Sequence, residues 1–247
     1  MTTLFVSDLH LDPARPDITR LFLRFLRRRA PACDALYILG DLFEAWVGDD
    51  DDSPLAESVC VALAEAGATG LAISYMVGNR DFLAGAEFAR RSGVRLLGDE
   101  VRLELYGRQA LLMHGDQLCT DDVDYQRFRA MVRTTGWRER FLAESLQRRR
   151  AIAQSIRQTS QQAIRSKSEQ IMDVNQSAVE EAMRRHGVDL LIHGHTHRPG
   201  VHDFRLDGRP VSRVVLGDWY HQGSVLTVTA DDHCDLAVLH PADPILD

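Results

Sequence analysis

Five short apolar runs in this 247-residue chain each stop at a cluster of carboxylate, amide or imidazole side chains, and that repetition restricts the fold more than any other feature. Leu4-Phe5-Val6 runs into Ser7-Asp8-Leu9-His10, Ala35 to Leu39 into Gly40-Asp41, and Leu71 to Val77 into Gly78-Asn79-Arg80-Asp81. Ala110 to Met113 runs into His114-Gly115-Asp116, and Leu190-Leu191-Ile192 passes through His193 into Gly194-His195-Thr196-His197. Runs of this length bounded by Gly or Asp read as buried strands. Between them, Ile18 to Arg29 and Ser53 to Ala66 carry apolar residues at three- and four-residue intervals, as amphipathic helices do. Alternating strand, polar loop and helix predict an α/β fold. The five motifs fall at the carboxyl ends of the strands of one sheet, where such folds bind ligands. Val211 to Leu216 and Ser224 to Thr229 read as late antiparallel strands. Residues 121–183 interrupt the rhythm with Gln, Arg, Ala and Glu and read as a helical insertion, or cap, within one domain spanning 1–247.

Each motif alone has a simple structural explanation. Asp8 or Asp41 could cap a helix, Asn79 could serve a turn, and His114 could be a satisfied core histidine. Together they present two Asp, one Asn and four His, with no thiolate, a donor set suited to Mn, Fe or Zn. Asp8 and His10, like His195 and His197, are two apart in extended chain and face one side. Seven ligands exceed what one tetrahedral ion takes. They suit two ions that share a carboxylate, and ions about 3.5–4 Å apart form the usual clamp for in-line displacement at phosphorus.

Charge and cysteine content narrow the surroundings. The net charge of −7 argues against a general nucleic-acid binder. It is unevenly spread, because Tyr125 to Ser168 holds eleven Arg and Lys against only Glu139 and Glu144, which points to a local anionic partner. Cys33, Cys60, Cys119 and Cys234 form no CxxC pair and read as reduced thiols of a cytosolic protein. The opening MTTLFVSDLHL lacks a basic leader, and no apolar run reaches the roughly 18 residues of a membrane span. The run Asp49 to Asp52 reads as a solvated acidic loop. His186, His202, His221, His233 and His240 read as surface or structural histidines. His193, Asp81 and Asp116 are candidates to orient the ligands.

The order Asp-x-His, Gly-Asp, Gly-Asn-x-Asp, His-Gly-Asp and Gly-His-Thr-His resembles the calcineurin-like metallophosphoesterases, from Asp8 to His197. That resemblance implies a two-sheet sandwich flanked by helices. It places Asp8, His10, Asp41 and His197 on one ion and Asp41, Asn79, His114 and His195 on the other, with Asp41 bridging. Where most of that family has Asn-His-Asp, this chain has Asn79-Arg80-Asp81. Arg80 cannot act as a general acid, since its pKa exceeds about 12, but it can hold developing charge on a phosphate. Such a site suits a leaving group that is already good, as in a diphosphate.

Longer strings, among them Gly40-Asp41-Leu42-Phe43-Glu44-Ala45-Trp46, Cys119-Thr120-Asp121-Asp122, Ser166-Lys167-Ser168 and Ile171 to Gln176, resemble the lipid A-pathway branch of that family. The resemblance implies hydrolysis of the diphosphate of UDP-2,3-diacylglucosamine by water attack on the α-phosphorus, with two Mn²⁺ ions. Asp41, Asn79 and Arg80 are then the catalytic residues. It also places Asn79, Arg80, Asp122, Ser160, Lys167 and His195 against the substrate head group, with Ile164 where a polar contact is expected. It implies a peripheral protein on the cytoplasmic face of the inner membrane. The insertion fits: Trp137 and Phe141, Leu142 and Leu146, and Ile152 and Ile156 are each four apart and share helical faces. These faces suit either core packing or an acyl chamber. Arg148-Arg149-Arg150 between them could meet anionic lipid, at about 1 kcal/mol per basic residue. Two alternatives remain at this point: a metallophosphoesterase for soluble nucleotides or phosphoproteins, and a non-catalytic scaffold, against which the complete ligand set speaks.

Overall fold

In the computed structural model the described residues are 1–166, 171–231 and 233–240, of which 161–166 are described as backbone only. In chain order they form β1 (Thr2–Val6), α1 (Pro16–Arg28), β2 (Ala35–Leu39), α2 (Pro54–Ala68), β3 (Ala72–Met76), α3 (Ala86–Ser92), β4 (Arg95–Leu96), β5 (Glu100–Leu105), β6 (Arg108–Met113), α4 (Val123–Val132), α5 (Thr135–Leu142), α6 (Leu146–Ser166), α7 (Gln176–His186), β7 (Leu190–His193), β8 (Gly200–Leu206), β9 (Arg209–Val215), β10 (Gly223–Thr229) and β11 (Cys234–Leu239). All five apolar runs are strands. They lie in two sheets, however, not one: β11-β10-β1-β2-β3-β4 and β5-β6-β7-β9-β8. The first three motifs end strands of the first sheet, and the last two end β6 and β7 of the second.

The pleat sorts each run between two environments. In β1, Leu4 and Val6 face the cluster shared with α1, α2 and α3, while Phe5 faces the space between the sheets. In β6, Ala110 and Leu112 face inward to that space, and Leu111 and Met113 face α7. The sandwich core holds Phe5, Leu39, Met76, Leu112, Ile192, Val214 and Leu226. Because the strands are buried on both faces, they read as continuous apolar runs and not as alternation. β1, β2 and β3 are parallel, as are β6, β7 and β9. β10 is antiparallel to both β1 and β11, as the late-strand reading expects. β9 is antiparallel only to β8 and runs parallel to β7.

Within 121–183 the described residues form helices and no strand. α4 begins at Asp122, whose side chain accepts the Tyr125 N–H, and α5 at Thr134, which accepts that of Trp137. α5 and α6 attach to the helix-side cluster through Trp137, Phe141, Leu146 and Ile152. α7 packs Val179, Ala182 and Met183 on the outer face of the second sheet and is that sheet's flanking helix.

The acidic run is not simply solvated. Asp49 accepts the Trp46 Nε1–H at 3.1 Å and the N–H groups of Gly85, Glu87 and Phe88 at 3.0–3.1 Å, capping α3. Asp50 pairs through both oxygens with Arg149, and Arg150 reaches Asp51 and Asp52 at 2.7 and 2.8 Å. Four adjacent carboxylates repel one another, and two arginines of the basic block relieve that repulsion. Arg149 is 3% exposed and also donates to the carbonyls of Val47 at 2.6 Å and Glu144 at 3.1 Å. A Cβ at Gly48, where φ is +137°, would collide with its guanidinium. Two members of the Arg148-Arg149-Arg150 triplet are therefore committed to the protein rather than free for a lipid surface.

Candidate metal centre

Of the seven non-glycine residues with positive φ among the described residues, five are expected metal ligands: Asp8, His10, Asp41, His195 and His197, with φ between 48° and 68°. Left-handed backbone at such residues costs on the order of 1 kcal/mol or more each and persists where surroundings impose it. Here it folds each chain sharply after its strand so that the side chains converge. The turns are knitted across strands. Asp8 N–H donates to Gly40 O at 3.1 Å, His10 N–H to Asp41 O at 2.9 Å, and Gly194 N–H to His114 O at 2.9 Å. Glycine is obligatory where they touch. A Cβ on Gly40 would lie 2.5 Å from His114 Nδ1, one on Gly78 would lie 2.5 Å from the Asp41 nitrogen, and one on Gly194 would collide with Ser7 Oγ and Asp8 Oδ2.

The ligand atoms meet in two adjoining groups. His10 Nε2 lies 3.1 Å from His197 Nε2, 3.9 Å from Asp8 Oδ1 and 3.8 Å from Asp41 Oδ2, and His197 Nε2 is 3.4 Å from Asp8 Oδ1. On the other side His114 Nε2 is 3.7 Å from Asp41 Oδ1 and 3.0 Å from Asn79 Oδ1, which lies 2.9 Å from His195 Nδ1. Asp41 thus offers one oxygen to each group. Asp8, His10 and His197, and again Asp8, Asp41 and His114, place ligand atoms within 4.8 Å of one another.

Burial and neighbours set the protonation. Burial works to raise Asp8, but hydrogen bonding and charge from His197, with His114 and His10, hold it well below the usual carboxylate range. Asp41 is pushed up by burial, and the charges of Asp81 and Asp8 add to this against the pull of His114. Burial drives His10 well down and His195 to about 3, so both rings are neutral, as ligation requires. Burial also lowers His114 and His197, yet Asp41 and Asp8 leave His114 raised, and Asp8 leaves His197 raised. A buried Asp8 oxygen, Oδ1, has no hydrogen-bond partner at ordinary length, with His197 Nε2 3.4 Å away. Crowded buried carboxylates, an unpartnered oxygen, neutral imidazoles and no thiolate fit a divalent cation.

Of the expected orienting residues, Asp81 accepts the N–H groups of Gly78 and Leu42, each at 2.7 Å, and of Asp41 at 3.3 Å, joining the Asp41 and Asn79 loops. Asp116 accepts from Tyr125 Oη at 2.8 Å and Arg129 Nε at 2.7 Å, and the Tyr125 ring stacks on His195 at 5.7 Å. His193 is buried between Gly194 O at 2.8 Å and Arg213 at 3.2 Å, supporting the loop rather than a ligand ring. His114 Nδ1–H donates to Leu39 O at 2.8 Å, which leaves Nε2 free for a cation. The sequence reading assigned no role to Arg15, Glu44, Asp218 or Tyr220. Tyr220 stacks on His10 at 4.9 Å, Arg15 lies 4.6 Å over Tyr220, and Asp218 is 3.8 Å from His197 Nδ1.

The structure brings Asn79, Arg80 and His195 together. Asn79 and Arg80 line a cleft whose polar wall is completed by Glu44 and Arg157 and whose apolar wall includes Trp46, Phe82, Phe128, Trp137, Phe141 and Ile156. Trp137 stacks on Phe141 at 4.9 Å and meets Phe82 at 5.8 Å. Ser160 is half-buried on α6, and Asp122 caps α4. Ile164 falls in the backbone-only part of α6, and Lys167 lies outside the described residues.

Two sheets whose strand ends converge on buried Asp, Asn and His define a class. The calcineurin-like phosphoesterase profile matches residues 1–199, and the chain belongs to that family. Within it, the chain is 54% identical over 237 residues to the UDP-2,3-diacylglucosamine hydrolase of Stenotrophomonas maltophilia K279a, covering 93% of this chain and 96% of that protein. It is likewise 54% identical over 238 residues to the protein of that name from Xanthomonas axonopodis pv. citri, covering 94% and 96%. An archaeal phosphodiesterase structure shares the fold, with a TM-score of 0.50 at 14% identity over 97% of this chain and 100% of that one. Calcineurin-like phosphoesterases bind divalent metals, and the ligand groups described above are candidates to hold them. No helix among the described residues is long and apolar enough to cross a membrane.

Proposed function

We propose that this chain is an enzyme that hydrolyses the diphosphate of UDP-2,3-diacylglucosamine, giving UMP and 2,3-diacylglucosamine 1-phosphate, a step of lipid A biosynthesis. The observation that carries this reading is the cleft that joins the candidate metal centre to an aromatic wall, with Arg80 and Asn79 at the junction. The close identity to hydrolases of that name supports it. Asp8, His10, Asp41 and His197 would hold one ion and Asp41, Asn79, His114 and His195 the second. Mn²⁺ is the expected metal, and the two oxygens of Asp41 facing separate groups support its bridging role. When bound, the ions supply positive charge against the diphosphate oxygens and an activated water for in-line attack.

The chain's own residues do the rest. Arg80 anchors its backbone N–H on Asp41 Oδ1 at 2.8 Å, which fixes its backbone beside the centre, and its side-chain Nε is buried without a partner. That unsatisfied donor suits phosphate oxygens, whose negative charge grows as the bond to the leaving group lengthens. The group displaced from the α-phosphorus, 2,3-diacylglucosamine 1-phosphate, leaves as a phosphate monoester and needs no protonated histidine, so arginine at this position costs the reaction little. Asp122, Ser160, Lys167 and His195 complete the head-group contacts, without a polar side chain at Ile164. α4, α5 and α6, within the 121–183 insertion, act as a cap whose aromatic wall receives acyl chains. The exposed Met131 and Leu142 on those helices support peripheral contact with the cytoplasmic face of the inner membrane.

Incubation with UDP-2,3-diacylglucosamine and Mn²⁺ in ¹⁸O water tests the reaction. Label is expected in UMP, and label confined to the sugar phosphate would place the attack on the other phosphorus. Turnover of soluble nucleotides with none of the lipid substrate would favour a nucleotide phosphoesterase instead.

A further inference from the structure

Glu44 is neither an expected ligand nor an expected substrate contact, yet it is 4% exposed at the edge of the centre and both its oxygens are engaged. Oε1 is ion-paired with Arg157 Nε of α6 at 3.1 Å. Oε2 accepts from Arg15 Nη2 at 3.2 Å and lies 3.5 Å from His10 Nδ1. That Nδ1 is buried and has no hydrogen-bond partner, while Nε2 of the same ring points at Asp8, Asp41 and His197. An imidazole that gives Nε2 to a cation keeps its proton on Nδ1, and the group on the ring's far side then decides how firmly the ring is held. Glu44 is the acceptor in that place, about half an ångström beyond ordinary hydrogen-bond length. Its backbone is fixed to the same turn, since Glu44 N–H donates to Leu11 O at 3.0 Å and Leu11 bridges to Phe43.

We infer that Glu44 is a positioning residue: its carboxylate fixes the His10 ring through Nδ1 and, through Arg157, ties that ring to helix α6. This rests on His10 being a metal ligand. It gives α6 a direct mechanical line to the His10 position, whereas on the other side the His114 ring is held by a backbone carbonyl of β2 and His195 meets the cap only through the Tyr125 ring of α4. A substrate acyl chain that shifts α6 acts on the His10 position first.

Calorimetric titration of Mn²⁺ into the metal-stripped full chain tests this without reference to turnover. The native chain is expected to take up two ions. Glu44→Gln keeps the size of the side chain and removes the charged acceptor. It is expected to weaken one ion roughly 10–100-fold, leave the other within about threefold, and leave the Tm of the metal-free chain within a few degrees. Arg157→Ala is expected to weaken the same ion by a smaller factor. Both Glu44→Gln affinities within twofold of native would overturn the assignment. So would equal weakening of both ions accompanied by a fall in metal-free Tm, which is the signature of general loosening. An unchanged titration for Arg157→Ala would sever the link to α6. If Glu44→Gln does not fold, Glu44→Asp carries the same test, with selective weakening expected and uniform weakening overturning it. A native chain that takes up no Mn²⁺ removes the metal-ligand reading itself, a result distinct from all of these.

Discussion

Replacing Asp41 with Asn should stabilise the metal-free protein while abolishing its stabilisation by metal. Asp41 is buried, with Asp8 ligand atoms within 4.8 Å and Asp81 beside it. Two unit charges at that separation repel by about 3 kcal/mol at an effective dielectric of about 20. Asn preserves the acceptor for the Arg80 N–H at Oδ1 and removes the charge. Part of the repulsion is already offset by His114, so a gain of about 1–3 kcal/mol is expected, or a rise in Tm of about 2–4 °C per kcal/mol for a chain of this size. The gain depends on pH with a defined sign. Burial raises the Asp41 carboxyl, so its ionisation weakens the metal-free native state as pH climbs through the raised value. The advantage of the variant should therefore be absent near pH 4 and largest above pH 8. Mn²⁺ at a hundred times its Kd adds about 2.7 kcal/mol to the native chain, and the variant should gain almost nothing. Thermal melts of both chains, with chelator and with Mn²⁺, at several pH values, measure all of this. A metal-free variant less stable than native at pH 8, or one that gains as much from Mn²⁺, would refute the charge-crowding account of the site.

Arg149→Met should destabilise the fold by about 2 kcal/mol in urea unfolding. The cost comes mainly from the buried Val47 carbonyl, since Asp50 is 63% exposed and water replaces its partner. A loss below about 0.5 kcal/mol would mean that the acidic loop does not hold α6. Gly194→Ala should leave the circular dichroism spectrum intact and weaken Mn²⁺ binding at least about tenfold, because the new Cβ displaces Asp8. Native affinity in that variant would show that the two sheets can separate there without cost. Among the imidazoles, His114 and His197 are raised above 6.5 whereas His10 and His195 are neutral, so Mn²⁺ binding near pH 6.5 should release protons from the first pair and from the Asp41 carboxyl, which burial raises to about 7. Affinity should fall as pH drops through that range. Titrations in buffers of different ionisation heat would count the protons, and none released would contradict the assignment.

The convergence of these side chains was legible in sequence because each follows directly on an apolar strand whose end places it. Gly40, Gly78 and Gly194 were legible only as strand boundaries, although each is required by a neighbouring loop whose approach no linear pattern records. The seven-ligand pattern could not say that its strands divide between two sheets, since a run buried on both faces has the same composition in either. β5, with Glu100, Arg102 and Glu104 interleaved among Val101, Leu103 and Leu105, lies at a sheet edge and was missed for want of a continuous apolar run. Glu44 and Tyr220 were missed because they meet the His10 ring across 34 residues in one case and from beyond the last motif in the other. The acidic loop and the Arg triplet were both visible, but their pairing spans about a hundred positions and only the folded chain reveals it.

The position of β1 bears on how the protein is made. β1 is flanked by β2, which follows it closely, and by β10, which begins at Gly223. At synthesis rates of about 5–20 residues per second, that second neighbour arrives roughly 10–40 s after β1 leaves the ribosome. Throughout that interval β1 presents an open edge, and Phe5, Leu39 and Met76 await the second sheet. Asp8, His10 and Asp41 are synthesised early, but the imidazoles of His114, His195 and His197 are still to come, so a cation meets too few donors to be held. Any metal loading at this centre would therefore come late in the life of the nascent chain, and a chaperone that shields one strand edge early would protect the whole centre.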